Sequence, residues 1–222
     1  DGLLVSTLQE DTRLRQMLRR VSVPIVMVNR RVSGLDNFVV HDNFGAARLA
    51  TEFLLSLGHR RIGHLAGRLS GYNGAQRMAG YEAALRAANI EPNPAWISEA
   101  GYTLEGGVRA TEAMLTAKQR PTAILAATVM SASGALKALH AAGVPVPGDV
   151  SVMSIHDIPI AEMLQPALTA LRLPLQEMGA LATHGLIDLI ESRVEVVSQV
   201  MESRGLIVRA STAPPRARTG RH

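Results

Sequence analysis

The side chains best equipped for chemistry in this sequence are polar residues that each follow a short apolar run. They are Ser6, Asn29, Arg30, Asn73, Arg77, Tyr102, Thr128 and His156. Together they offer hydroxyl, amide, guanidinium and imidazole groups that donate or accept hydrogen bonds. Any one of them alone fits a turn, a helix cap or a surface position equally well. Because six apolar runs are followed in this way, the pattern predicts one cleft that binds a small molecule.

Glycine and serine motifs give little support to an enzyme. The run at residues 67–71 has the wrong spacing for the G-x-S-x-G turn that exposes a serine nucleophile. Gly67, Gly71 and Gly74 lack the Gly-Lys-Ser/Thr of a phosphate-binding loop, so we interpret them as a flexible turn before a helix. No catalytic residue and no cofactor is predicted.

The histidines and carboxylates do not form a recognisable metal site or catalytic relay, and His59 is interpreted as structural. His59 and His64 lie an odd number of positions apart around the start of a strand, which points them to opposite faces instead of at one metal ion. The adjacent side chains of His156 and Asp157 also diverge, so a relay between them is not expected. Asp42 fits a helix cap better than a catalytic acid. No metal site is predicted.

The sequence predicts that βα units around parallel sheets position these residues, because apolar runs alternate with longer segments of helical period. Most runs do not alternate polar and apolar residues, as expected for strands covered on both faces. Strands are predicted at residues 3–6, 24–28, 61–65, 95–98, 123–127, 151–155, 168–173 and 206–209. Helices are predicted at 8–20, 75–88, 104–117, 131–142 and 175–191, and the clearest one runs from the Asp42-Asn43 pair to Gly58.

The composition is that of a globular protein that can bury a core in one large or two small domains. The chain has 222 residues, 47% of them hydrophobic and 19% charged, with no cysteine. No apolar run approaches the roughly 18 residues of a membrane span, and the first six residues are not a signal peptide. The net charge is only +4 and the arginines are scattered, so a dedicated nucleic-acid face is not indicated. The end from Arg216 is expected to be disordered.

A series of motifs resembles the LacI/GalR family of bacterial transcription regulators. The motifs occur in the family's order and spacing over nearly the whole chain. They are DGLLV at residues 1–5, VPIVMVNR at 23–30, DNFGAA at 42–47, LGHRRI at 57–62, LAG at 65–67, RMAGY at 77–81, RPTAI at 120–124, GAL at 134–136, VPGDVSV at 146–152, PALT at 166–169 and RAST at 209–212.

The resemblance implies a two-lobed, periplasmic-binding-protein-like α/β fold with parallel sheets flanked by helices and joined by crossing segments near Ser98, Leu173 and Ser198. The N-terminal lobe would comprise residues 1–98 and 174–198, and the C-terminal lobe residues 99–173 and 199–222. The resemblance also implies a small-molecule effector in the interlobe cleft and a cytoplasmic homodimer with no membrane contact. Operator DNA would be bound through a helix-turn-helix head, and we expect that head and the first βαβ unit to be missing here.

Three positions depart from the family's cleft. Asn29 stands where the family usually has an acidic residue, Thr128-Val129 stands in place of Asn-Asp, and His156 replaces an aspartate, whereas Arg77 and Tyr102 match. Carboxylates accept hydrogen bonds from paired sugar hydroxyls, so their loss argues against a simple sugar. The resemblance leaves a sugar-like effector as one expectation. The three departures favour a small anionic metabolite as the other. The alternative is a less polar neutral ligand, with Arg77 held by a carboxylate of the protein.

Two other classes of function stay open at this point. A periplasmic solute-binding protein of a transport system would have the same fold, although the GHRRI stretch at residues 58–62 resembles the regulators more closely. An enzyme on a doubly wound sheet is the third reading, and it lacks a recognisable nucleophile, metal cluster or cofactor loop.

Overall fold

The computed structural model describes residues 1–6 and 12–216. In chain order its strands are β1 (Leu3–Val5), β2 (Ile25–Val28), β3 (Phe38–His41), β4 (Ile62–Ala66), β5 (Ile97–Glu99), β6 (Ala123–Ala126), β7 (Ser151–Ser154), β8 (Thr169–Leu171), β9 (Ser198–Met201) and β10 (Leu206–Ile207). Its helices are α1 (Thr12–Leu18), α2 (Asn43–Ser56), α3 (Tyr72–Ala87), α4 (Leu104–Leu115), α5 (Val129–Ala141), α6 (Ile160–Met163) and α7 (Leu175–Ile190). None of the helices in these described ranges is long and apolar enough to cross a membrane.

The first sheet contains four parallel strands in the order β1-β2-β3-β9. Its two faces are buried in different clusters, because neighbouring residues of a strand point to opposite sides. Val26 packs with Met178 and Ala182 of α7, whereas Met27 packs with Leu18 on the other face. Helices therefore cover a sheet whose middle strands are apolar except for His41 at the end of β3.

The second sheet contains six strands in the order β10-β8-β7-β6-β4-β5, all parallel except for the antiparallel β10 at one edge. Helices α2 and α3 cover one face, where Leu54 and Tyr81 pack with Leu125 of β6. Helices α4 and α5 cover the other face, where Met114 and Leu139 pack in a separate cluster. The expected fold class, with parallel sheets flanked by helices, is confirmed.

Close helix packing on the second sheet depends on small residues. A side chain at Gly80 of α3 would overlap the Phe44 carbonyl of α2, and one at Gly134 of α5 would overlap the Leu104 carbonyl of α4. Glycine at these positions lets each helix pair approach closely.

The predicted helix after Asp42 is confirmed. The Asp42 carboxylate accepts a hydrogen bond from the Gly45 N–H at 2.8 Å, and Gly58 beyond the helix has a φ of 97°, the left-handed conformation that suits glycine. The remaining long helices also occur, with ends shifted by a few residues. Predicted residues 8–11 of the first helix lie outside the described residues, as does the expected disordered end from residue 217 onward.

Strands β3 and β9 were not predicted from the sequence. Phe38–His41 is only four residues long and follows a polar loop, so its apolar run is too short to stand out. Ser198–Met201 is an edge strand that is mostly exposed and carries mixed residue types. β3 pairs with β2 and β9 pairs with β3, so both strands depend on tertiary contacts for their conformation.

The strand pairing divides the chain differently from the boundary expected at residue 98. Both β4 and β5 pair within the second sheet, although residues 1–98 were assigned to the first lobe. The chain changes sheets between β3 and α2, again between β8 and α7, and finally between β9 and β10. All five residues of β4 are buried, so its composition gives no sign of which sheet it joins.

Candidate effector-binding site

The candidate site lies where the carboxyl ends of strands from both sheets meet. Asn29 follows β2 and has a φ of 60°, a left-handed conformation that asparagine tolerates well. His41 ends the neighbouring β3 and is buried. The second sheet contributes Ala127 after β6 and His156 after β7. In α/β folds these strand ends are where ligands bind.

Helix α3 connects these strand ends through two side chains four residues apart, which places them on one face of the helix. Asn73 donates from Nδ2 to the Asn29 carbonyl at 2.9 Å and accepts from Asn43 Nδ2 at 3.3 Å. Arg77 donates from Nε to Asn43 Oδ1 at 2.9 Å, from Nη1 to the Ala127 carbonyl at 2.6 Å and from Nη2 to His41 Nε2 at 3.3 Å. This network joins the two sheets directly.

Arg30 and Tyr102 lie beside the network. The Arg30 guanidinium carbon is 5.9 Å from the centre of the Tyr102 ring, within the range of a cation–π contact, and Arg30 is only 4% exposed. The same ring lies against the backbone of Gly67, where a methyl group would overlap it. Glycine at residue 67 therefore makes room for the aromatic ring.

The site is electrostatically unusual because its buried groups are cationic or neutral. Burial lowers the pKa of Arg77 to about 10, with the nearby Tyr102 opposing and Arg30 reinforcing this shift. Burial, followed by the charges of Arg77 and His156, lowers the pKa of His41 to about 3, and the Asn43 side chain opposes the shift. Burial and Arg77 also lower the pKa of His156, against the effect of Asp157. Both histidines are therefore neutral at pH 7.

The sequence of this chain was compared with protein families and with known proteins. Residues 51–212 match the family described as periplasmic binding protein-like domain. The chain is 34% identical over 197 residues to the ribose operon repressor of Haemophilus influenzae, covering 86% of this chain and 58% of the repressor. It is 35% identical over 215 residues to the regulator CelR of Thermobifida fusca, covering 95% of this chain and 63% of CelR. The chain thus spans about three fifths of the length of these curated relatives.

Solved structures agree with the sequence matches. A LacI-family regulator from Mycobacterium smegmatis superimposes with a TM-score of 0.91 and 31% identity, over 97% of this chain and 80% of that one. This chain belongs to the LacI family of transcription regulators. The complex of CelR with cellobiose also superimposes, with a TM-score of 0.89 and 35% identity, over 95% of this chain and 65% of that one.

Family membership decides between the classes that the sequence left open. The chain corresponds to the effector-binding domain of LacI-family regulators, as predicted. The relatives found are regulators and not transport receptors, so the solute-binding alternative is not supported. They are also not enzymes, which agrees with the expectation that this chain is not one.

The structure of this LacI-family domain brings together most of the predicted ligand-binding residues. Asn29, Asn73 and Arg77 belong to the hydrogen-bonded network, and Arg30 contacts Tyr102 beside it. His156 is close enough to influence the pKa of His41. Their roles toward a ligand stay predictions.

Two other predicted residues are placed differently. Thr128 caps α5: its hydroxyl accepts from the Ser131 N–H, and the Ser131 hydroxyl accepts from the Thr128 N–H, so the Thr128 side chain is engaged within the protein. Ser6 is exposed just after β1, at the edge of the first sheet. Neither residue joins the network around Arg77.

Sequence reasoning missed His41 and Asn43. His41 is the polar residue that ends the short run Phe38–His41, and the rule applied to the other strands would have found it had this strand been predicted. Asn43 was interpreted as part of a helix-capping pair, and only its contacts with Asn73 and Arg77 reveal its position in the site. The expected alternative, a protein carboxylate holding Arg77, is not what the described residues show, since its partners are neutral.

Residues interpreted as structural behave accordingly. His59 is buried at the opposite ends of the strands, and its ring nitrogens lie 2.9 Å from the Thr122 hydroxyl and 2.9 Å from the Ala213 carbonyl. Asp157 is not directed at its neighbour His156, because its carboxylate accepts from Arg209 Nη1 at 2.8 Å. These contacts stabilise the second sheet and leave the site around Arg77 separate.

Proposed function

We propose that the complete protein is a ligand-responsive transcription regulator and that this chain carries its effector site between the two sheets. The observation that carries the proposal is the pair of hydrogen bonds from α3 to the first sheet, Asn73 to Asn29 and Arg77 to His41. A ligand bound at these contacts would favour one relative orientation of the sheets. That difference in affinity is what a regulator requires to transmit binding to DNA.

The proposed effector is sugar-like or a small anionic metabolite. Arg77 and Asn73 offer polar groups on the α3 side, Asn29 and Arg30 on the β2 side, and Tyr102 an aromatic surface for an apolar part. Relatives named for ribose and a relative solved with cellobiose support the sugar-like class. The lost carboxylates at residues 29, 129 and 156 support the anionic class.

A thermal-shift screen of the chain against sugars, nucleosides and small acids tests this proposal, because a ligand that binds only the folded state raises the Tm. We expect His156→Ala to reduce the shift caused by a true effector while leaving the protein folded, since His156 Nε2 bonds to none of the described residues. The matched control is His184→Ala on the exposed side of α7. An equal ligand shift in both variants would contradict the proposed site.

The proposed macromolecular partners are operator DNA, through a helix-turn-helix head outside this chain, and a second copy of the protein in the cytoplasm. The 222 residues alone should then bind DNA only weakly and with a steep dependence on salt. Sequence-selective binding by this chain at physiological salt would contradict the assignment of DNA binding to a head. Light scattering on the complete regulator tests the homodimer, and a monomer at working concentration would refute it.

A further inference from the structure

Three buried polar atoms around Arg77 have no hydrogen-bond partner within residues 1–6 and 12–216. They are Nδ1 of His41, the hydroxyl of Tyr102 and Nε2 of His156. All three groups are near one another, because Arg77 contacts His41 directly and interacts electrostatically with Tyr102 and His156. Buried polar atoms are almost always paired in folded proteins. A cluster of unpaired buried atoms around Arg77 therefore points to a ligand whose polar groups pair with them.

The contact with Arg77 fixes which nitrogen of His41 carries the proton. A guanidinium group only donates hydrogen bonds, so His41 Nε2, at 3.3 Å from Arg77 Nη2, must accept. Because the pKa of His41 is lowered to about 3, the ring is neutral and has one proton to place. That proton resides on Nδ1. The buried Nδ1 is therefore a donor that has no hydrogen-bond partner among the described residues, although the Asn43 side chain is close enough to oppose the lowering of the His41 pKa.

Arg77 adds further donors and a charge. Three of its N–H groups bond to Asn43, Ala127 and His41, so two of the five donors of the guanidinium group have no partner in the part of the chain that the structure describes. All three described partners are neutral, and the side chain is only 4% exposed. The carboxylate next to His156, Asp157, is held by Arg209 at 2.8 Å. A buried cation with neutral partners only is costly and attracts an anion.

We propose that the effector of this site is a small organic oxyanion, a carboxylate or a phosphate ester, whose oxygens accept from His41 Nδ1–H, the Tyr102 hydroxyl and the remaining N–H groups of Arg77. This inference rests on the proposed function, since it names the class of effector for the same cleft. His156 completes the set by donating from Nε2 to the same oxyanion.

A neutral polyol fits these atoms less well. Each sugar hydroxyl carries a donor that needs an acceptor, and in sugar sites carboxylates commonly supply it. Around Arg77 the groups that are unpaired among the described residues are mostly donors, and the carbonyl oxygens of Asn29 and Ala127 already accept from Asn73 and Arg77. An oxyanion has only acceptors to offer and matches donors with charge-assisted bonds.

Isothermal calorimetry tests the inference by measuring the dissociation constants of small molecules that differ in charge. Each neutral compound is compared with its anionic counterparts. The probes are glucose with glucuronate and glucose 6-phosphate, ribose with ribose 5-phosphate, and glycerol with glycerate and glycerol 3-phosphate, with inorganic phosphate as a separate probe. We expect only anionic members to bind, and the preference between glucuronate or glycerate and the phosphates distinguishes a carboxylate from a phosphate effector.

Tyr102→Phe removes one unpaired hydroxyl and keeps the ring, so it should weaken the anion about tenfold to hundredfold, the range for a hydrogen bond to a charged group. The matched control is Tyr81→Phe, which removes a hydroxyl bonded to the Ile62 carbonyl at 2.7 Å and should leave the dissociation constant unchanged.

Binding of a neutral member as tightly as its anion would overturn the inference but leave the proposed effector site standing. An anion that binds equally well to the wild type and to Tyr102→Phe would also overturn it, as would inorganic phosphate binding more tightly than every organic anion. No binding by any probe at about 10 mM, well above the usual micromolar to millimolar range, would count against both proposals.

Discussion

Two buried histidines, His41 and His64, resist protonation, and together they are expected to remove about 4 kcal/mol from the free energy of unfolding on acidification from pH 7 to pH 5. His41 is 1% exposed and its pKa is lowered to about 3, chiefly by burial. His64 is fully buried, donates from Nδ1 to the Leu125 carbonyl at 2.9 Å and stacks on Tyr81, and burial lowers its pKa to about 4.

The sign and size follow from proton linkage. In the unfolded chain both histidines bind protons below their usual pKa of 6.5, whereas the folded chain excludes those protons until about pH 4 or lower. The unfolded state therefore gains stability as the pH falls, and folding is favoured fully only above pH 6.5. Each pH unit below that value costs about 1.4 kcal/mol per histidine, so each one contributes about 2 kcal/mol by pH 5.

Urea unfolding followed by circular dichroism at several pH values between 7 and 5 measures this loss. His64→Phe removes one titrating ring and keeps an aromatic group beside Tyr81, so the loss between pH 7 and pH 5 should be smaller by about 2 kcal/mol. His184→Asn, on the exposed face of α7, is the control and should leave it unchanged. A free energy of unfolding that stays constant over this range, or a slope that His64→Phe does not alter, would refute the reasoning.

Three further predictions concern stability. Gly134→Ala should lower the Tm and reduce the free energy of unfolding by about 1–3 kcal/mol, because its methyl group overlaps a carbonyl of α4. The control is Gly179→Ala on α7, whose methyl group meets nothing within 4 Å and which should raise the Tm. Thr128→Ala should reduce the urea-unfolding free energy by about 1 kcal/mol through loss of the α5 cap, and an unchanged midpoint would argue against the cap. Arg209→Ala should cost about 3 kcal/mol because it removes the close partner of the mostly buried Asp157, and a double-mutant cycle with Asp157→Asn measures the coupling.

Local features of the fold were predictable from the sequence because neighbouring residues determine them. Asp42 caps α2 through the Gly45 N–H three residues on, and Gly58 takes the left-handed conformation that ends the segment. The second sheet's strands were predicted from buried runs such as Ala123–Ala126. Strand Ser198–Met201 was not predictable, since it lies at an edge and is mostly exposed.

The site could be predicted in part. Asn29 and Arg77 were identified because polar residues after apolar runs gather at the carboxyl ends of parallel strands. The same rule selected Thr128, whose hydroxyl is instead engaged in the cap of α5. It passed over His41 because the strand that it ends was not recognised, and His41 carries the Nδ1 donor, unpaired within residues 1–6 and 12–216, that supports the ligand class we propose.

By itself the sequence determined the class of fold, the family and the caps of its clearest helix, because periodicity, motif order and capping residues are local and additive signals. Only the tertiary structure decided which sheet Ile62–Ala66 joins, since a strand that is apolar on both faces can pair in either. It also decided what surrounds Arg77. The sequence allowed a carboxylate partner, whereas the folded chain brings His41, Asn43 and the Ala127 carbonyl to the guanidinium from separate elements. Hydrogen-bond partners far apart in sequence depend on packing, and packing is a property of the whole chain.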